Sequence, residues 1–239
     1  MWLTCILPSA GSQCPAPARR QRQSRVRGDI MPFEGKQAAD AVGRVSTSVG
    51  GLLATYDRPV LVAVDGASGA GKSTLAPRLA QELAAVIVPL DDFFSGQIPD
   101  LAWDQMSAGQ RLRHVFDWER LRQQALLPLL SRRPANWWTY DFTAGLQTDG
   151  TYPLGGEPKG CQPANVILLE GAYAASAPLH DLVDLALLVD VPVAVRHQRL
   201  ADREPPDLLA RWHALWDPVE QLYFEELRPK ASFDLVVTV

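Results

Sequence analysis

The stretch Val60-Leu61-Val62-Ala63-Val64-Asp65-Gly66-Ala67-Ser68-Gly69-Ala70-Gly71-Lys72-Ser73-Thr74 carries five apolar residues into a glycine-rich loop. The loop matches Gly-x-x-x-x-Gly-Lys-Ser, with Gly66 and Gly71 at its ends and Gly69 between them. Glycines let consecutive backbone N–H groups turn inward around an anion, where a side chain would block the turn or the approach. Lys72 adds a full positive charge, Ser73 offers a hydroxyl to Mg²⁺, and the following helix points its positive end at the same place. The segment after the loop, Leu75 to Ala85, has helical periodicity, so the motif sits between a strand and a helix as a P-loop requires. The loop from Gly66 through Ala67, Ser68, Gly69, Ala70, Gly71, Lys72 and Ser73 to Thr74 is therefore expected to hold the phosphates of ATP.

Working outward, the rest of the chain fits one α/β domain. Its 239 residues are enough for a full core and short for two domains. The apolar runs Val166 to Leu169 and Leu185 to Val189 are those of strands buried on both faces, and helical segments separate them. The expected elements are strands 60–65, 86–90, 165–169, 185–190 and 233–238, with helices 72–85, 118–130, 192–203 and 206–227. An irregular stretch should precede residue 118, and a polar, aromatic loop should follow residue 130. This pattern predicts a P-loop NTPase fold, a three-layer α/β/α sandwich whose mostly parallel sheet has five strands and whose ligands bind at the carboxyl ends. Ala38, Ala41, Val42, Val45 and Val49 suggest a packing helix within 31–57, ahead of a domain at 58–239.

Hydrophobic residues make up 47% and charged residues 21%, with a net charge of −4, which gives no electrostatic case for binding nucleic acid. No apolar run is long enough to span a bilayer. Cys5, Cys14 and Cys161 have neither metal-ligand nor disulfide spacing, which favours a reducing cytoplasm. Residues 1–30 are rich in Pro, Ser and Arg, with charge after rather than before the apolar Trp2–Leu7, and read as a disordered extension upstream of a start at Met31. An organellar targeting role is the alternative. Homo-oligomerisation is compatible with this composition.

Several acids and bases lie where such a sheet would bring them to the loop. Asp91 and Asp92 end the second strand, and Asp91 is the candidate base that orients an attacking hydroxyl and accepts its proton, alongside Lys72. Glu170 ends the next buried strand and is a second candidate Mg²⁺ ligand with Ser73. Arg196, Arg199 and Arg203 recur at i, i+3 and i+7 along one helical face, a stripe that can close over polyphosphate as a short lid or remain a solvated basic face. Trp212, Trp216, Glu220 and Tyr223 share a helical face and are expected to pack. The histidines at 114, 180, 197 and 213 show no ligand or triad spacing, and each is expected to be structural or exposed.

Asp65 to Thr74, Asp91-Asp-Phe-Phe94, Phe116-Asp-Trp-Glu-Arg-Leu121, Tyr140-Asp-Phe142, Val166 to Tyr173, the Arg196–Arg203 stretch and Phe233 to Val237 occur in the order of the uridine kinase-like P-loop kinases. The resemblance spans about residues 58–239 and is greatest to uridine/cytidine kinases. Nicotinamide riboside kinases share the Asp91–Phe94 motif, while phosphoribulokinase and pantothenate kinase are more distant. The resemblance implies transfer of the ATP γ-phosphate to a hydroxymethyl group, with Asp91 matching the catalytic carboxylate. It also implies a small-molecule acceptor, a nucleoside in the first instance, with Asp117 on the ribose hydroxyls and Tyr140 in the acceptor pocket. Asp117 can equally cap the helix that starts near Trp118. The sequence departs from the family where a base-reading His and Arg would follow Tyr140-Asp-Phe142, since Thr143-Ala-Gly-Leu-Gln147 stands there. Trp137, Trp138, Tyr140 and Phe142 could stack on a planar acceptor or pack inward, and Gln147 could supply a hydrogen bond. A kinase of another alcohol, or an ATP-binding regulator that transfers nothing, remains the competing expectation.

Overall fold

The computed structural model describes residues 36–238, so the expectations for residues 1–30, including Cys5 and Cys14, and for the Met31 start lie outside the described residues. In chain order the elements are α1 (Lys36–Thr55), β1 (Val60–Asp65), α2 (Lys72–Leu83), β2 (Val86–Pro89), α3 (Ala108–His114), α4 (Trp118–Leu121), α5 (Leu127–Leu130), β3 (Ala135–Trp137), β4 (Lys159–Cys161), β5 (Val166–Glu170), β6 (Leu185–Asp190), α6 (Val193–Ala201), α7 (Pro206–Gln221) and β7 (Leu235–Thr238).

Five strands form a wholly parallel sheet in the order β2-β5-β1-β6-β7. Alternation along each strand sends side chains to opposite faces. Leu61, Ala63, Ile167, Leu169, Ala186 and Leu188 enter one core, while Val60, Val62, Val64, Val166, Leu168, Leu185 and Leu187 enter the other. Both faces are thus covered, which explains why the strands read as continuous apolar runs. α1 closes the second face by burying Ala41, Val45 and Val49 at successive helical turns. Its glycines 43, 50 and 51 face open space, so they do not disturb that contact.

The sheet register brings the functional ends together. Val64 pairs with Glu170, Glu170 pairs with Pro89, and Asp91 lies two residues beyond. β2 ends at Pro89, earlier than expected, and Leu90–Phe93 winds into a 3₁₀ turn that carries Asp91 and Asp92. A proline is tolerated here because β2 is an edge strand with no ladder bond to lose on its open side.

The connections hold the remaining corrections to the sequence reading. The stretch expected to be irregular contains α3, set by a capping box in which Ser107 and Gln110 bond each other's backbone N–H. The expected helix 118–130 has a π-register turn over Arg122–Leu126 between α4 and α5, and α7 likewise runs into a π turn over Leu222–Leu227. The polar, aromatic loop contains the antiparallel pair β3 and β4. These strands are three residues long and interrupted by a long excursion, so neither offered enough alternation to be recognised. Among the described residues no helix is long and apolar enough to cross a membrane.

Candidate active site

The P-loop joins β1 to α2 at the centre of the sheet. Gly71 precedes α2 in a left-handed conformation, φ 96°, and no side chain caps the helix. Among the described residues the N–H groups of Gly69, Gly71, Lys72 and Ser73 find no protein acceptor, so they form a set of unspent donors at the positive end of a helix. Gly69 is required on two counts: its φ is +77°, and a Cβ there would lie 2.7 Å from the backbone oxygen of Arg196. The Lys72 ammonium is buried and folds back to donate to the carbonyls of Gly66 (2.8 Å) and Ala67 (3.1 Å). Ser73 and Thr74 lie exposed at the mouth.

Two residues outside the loop pattern hold the loop in shape. The buried Asp65 carboxylate accepts from the N–H groups of Gly66 (2.6 Å), Tyr173 (2.8 Å) and Ala175 (2.9 Å) and from the Tyr223 hydroxyl (2.7 Å). Burial pushes its pKa up and those donors push it back down, with the balance upward. Glu220, buried on α7, accepts from the Ser68 N–H (2.7 Å) and pairs with the Arg196 guanidinium (2.8 Å). Glu220 and Tyr223, expected only to pack, therefore position the P-loop. Asp65 was overlooked, although an acid ending a buried strand was a visible signal.

At the rim Asp91 and Glu170 face Lys72. Burial is the main cause that pushes the Asp91 carboxyl up to about 7, with the Glu170 charge adding to it while Lys72 and Arg203 oppose it. Burial also raises Glu170, again against Lys72. Among the described residues neither carboxylate accepts a hydrogen bond, although both are half-buried. Asp92, next in the chain, is spent on structure: it accepts from Trp137 Nε1 (2.9 Å) and Lys159 Nζ (2.6 Å), fastening β3 and β4 to the rim.

The arginine stripe divides into different tasks. Arg196 is buried in its pair with Glu220 and also donates to the Ser68 carbonyl, so it belongs to the P-loop's support. Arg199 reaches the carbonyls of Gly69 (3.2 Å) and Ala70 (3.3 Å). Arg203 donates to buried Glu204 (2.7 Å) while its charge acts on Asp91.

Asp117 and Tyr140 form a second group beside the rim. Asp117 caps α4 by accepting from the Arg120 N–H (3.0 Å), and its own N–H bonds the Phe93 carbonyl (2.8 Å), which ties it to the Asp91–Phe94 turn. Arg120 lies between the rings of Phe93 (4.9 Å) and Tyr140 (5.5 Å), pairs with Asp117 (3.4 Å), and donates to the carbonyls of Asp92 and Trp138. Burial lowers the Arg120 pKa and raises that of Tyr140. The Tyr140 ring lies flat on Gly96, where a Cβ would come within 2.4 Å of it. Of the four aromatic candidates, Trp137 and Phe142 are core residues, whereas Trp138 and Tyr140 keep accessible surface. Gln147 is exposed, and its backbone closes a turn with Gly150 and Thr151.

A phosphate cradle at the central strand, a carboxylate of raised pKa at the next rim and basic groups beside both define a P-loop kinase, an ATP-dependent phosphotransferase with an alcohol acceptor. The chain belongs to the phosphoribulokinase / uridine kinase family, whose model matches residues 61–224. It is 26% identical over 183 residues to a uridine kinase of Lactobacillus helveticus, covering 74% of this chain and 81% of that protein. To a uridine kinase of Latilactobacillus sakei it is 29% identical over 175 residues, covering 72% and 77% respectively. A solved structure described as a possible uridine kinase from Bacillus stearothermophilus shares the fold with a TM-score of 0.55 at 18% identity, covering 81% of this chain and 98% of that one.

Proposed function

We propose that this kinase transfers the γ-phosphate of ATP to the hydroxymethyl group of a nucleoside, with uridine and cytidine as the first acceptors to test, and that residues 58–239 form the catalytic unit. The observation that carries the reading is Asp91: a half-buried carboxylate without a hydrogen-bond partner, raised to about 7 beside Lys72 and Glu170. A group titrating near neutrality can accept a proton from an alcohol as its oxygen bonds to phosphorus. Lys72 and the open P-loop amides are placed to spread the charge of the moving phosphoryl group, and Arg199 and Arg203 to add to it when α6 closes. The uridine kinases among the relatives support the nucleoside, with Asp117 toward the ribose hydroxyls and Tyr140 toward the base.

The half-buried carboxylate of Glu170 and the exposed hydroxyl of Ser73 fit a hard cation, having oxygen donors and no competing partner. They would hold Mg²⁺, which supplies charge neutralisation of the triphosphate when bound.

A second reading, a kinase of nicotinamide riboside, pantothenate or a sugar, is favoured by Thr143–Gln147, where uridine kinases carry a base-reading His and Arg. ADP release measured with ATP·Mg²⁺ and single acceptors separates the two. Stimulation by uridine or cytidine supports the first reading, and stimulation by another alcohol alone replaces it. Tight ATP binding with no acceptor active would end both.

A further inference from the structure

His197 on α6 and His213 and Asp217 on α7 converge although their spacing in sequence announces nothing. His213 Nδ1 lies 3.0 Å from both carboxylate oxygens of Asp217, and His197 Nε2 lies 3.7 Å from one of them. The imidazole rings stand 4.3 Å apart between centroids, and one ligand atom from each of the three residues falls within 4.8 Å of the others. All three are part-exposed, and His197 and Asp217 face a cavity of about 370 Å³ that is also lined by Ala67, Val191, Arg196 and Glu220. Water can therefore reach the open side of the group.

An ion pair between His213 and Asp217, four apart on one helix, would account for two of the residues. It does not account for His197, which brings a second imidazole to the same carboxylate from another helix. The three residues instead offer two imidazole nitrogens and a carboxylate oxygen close enough together for one divalent cation to be shared by all three side chains. Two imidazoles and a carboxylate with an open fourth position suit Zn²⁺ and its neighbours in the transition series, and suit Mg²⁺ poorly.

We propose that His197, His213 and Asp217 form a binding site for a divalent transition-metal cation of the Zn²⁺ class, separate from the Ser73 and Glu170 pair. The cation fastens α6, which carries Arg199, to α7, which carries Glu220. Small side-chain rotations bring the ligand atoms to the separations a four-coordinate ion needs. The site does not depend on which acceptor is phosphorylated.

Co²⁺ is the probe, added to the full chain without nucleotide, with Zn²⁺ as competitor. The expected result is one equivalent of Co²⁺ giving the intense visible bands of four-coordination, displaced by Zn²⁺ and insensitive to millimolar Mg²⁺. The bands persist in Ser73→Ala and vanish in the His197→Ala, His213→Ala double variant. His197→Ala alone weakens Zn²⁺ binding by more than the roughly 10- to 100-fold that follows loss of an outer-shell partner. Far-UV circular dichroism shows whether each variant is folded, and Asp217→Asn, which keeps side-chain volume, supplies a second ligand deletion. Absence of bands, bands surviving in the folded double variant, or a weak octahedral spectrum lost only in Ser73→Ala would each overturn the proposal.

Discussion

At the scale of one residue, Asp91 is the proton acceptor of the proposed reaction, and its burial also ties it to stability. Asp91→Asn removes the proton acceptor while keeping the shape, so turnover should fall about 100- to 10,000-fold with ATP affinity near wild type. Steady-state kinetics together with nucleotide titration would check the split. Because the carboxyl titrates at about 7 in the fold against an ordinary value of 3.8, the folded chain holds a proton between those pH values that the unfolded chain has released. Folding stability therefore declines as pH rises across that window and levels off above it. Asp91→Asn should stabilise the nucleotide-free protein at pH 8 by on the order of 1 kcal/mol or more, read from urea unfolding, with the gain shrinking toward pH 4. The rate constant kcat/KM should drop tenfold per pH unit below about 7, as the base becomes protonated, and this limb should be absent from the residual activity of Asp91→Asn.

Elements are coupled here through a few buried polar contacts. α7 touches the P-loop by way of Glu220, whose two oxygens satisfy the Ser68 N–H and the Arg196 guanidinium. Deleting one partner of a buried pair strands the other charge, at a cost of about 3–5 kcal/mol. Glu220→Ala should accordingly lower stability by about 3 kcal/mol and weaken ATP binding, since the loop loses the contact that orients Ser68. Isothermal titration and denaturant unfolding would report the two effects separately. An undiminished ATP affinity in a folded Glu220→Ala protein would remove Glu220 from the positioning role. The turn after β5 is held by the same logic, with Tyr173 in a left-handed conformation, φ 70°, and its N–H on Asp65. A bulky residue in that region is strained, and the Asp65 network is what over-determines it.

Across the whole molecule the sheet is closed on both faces, one of them by α1. Val45 and Val49 are fully buried against Val60, Val62 and their neighbours. Burying a valine is worth about 1.5 kcal/mol or more, partly offset by the entropy of ordering the helix, so a chain beginning at Arg58 should lose on the order of 3 kcal/mol of stability. Thermal unfolding of the shortened and full chains would show it as a drop in Tm. An unchanged Tm would mean that the helix is dispensable to the domain.

The phosphate cradle and the parallel sheet were legible from the sequence because each is encoded locally: a glycine loop with its lysine, and apolar runs with helical segments between them. The placement of Asp91 and Glu170 at one rim was legible because a parallel sheet sends the carboxyl ends of its strands to the same side. The short strands β3 and β4 were not, having too few residues to show a period, and α3 escaped notice although its capping box stood in the sequence. The division of labour among Arg196, Arg199 and Arg203, the capture of Asp92 by Trp137 and Lys159, and the meeting of His197 with His213 and Asp217 were decided only by tertiary structure. In each case the partner's placement depends on how separate elements pack, and local spacing carries no record of that.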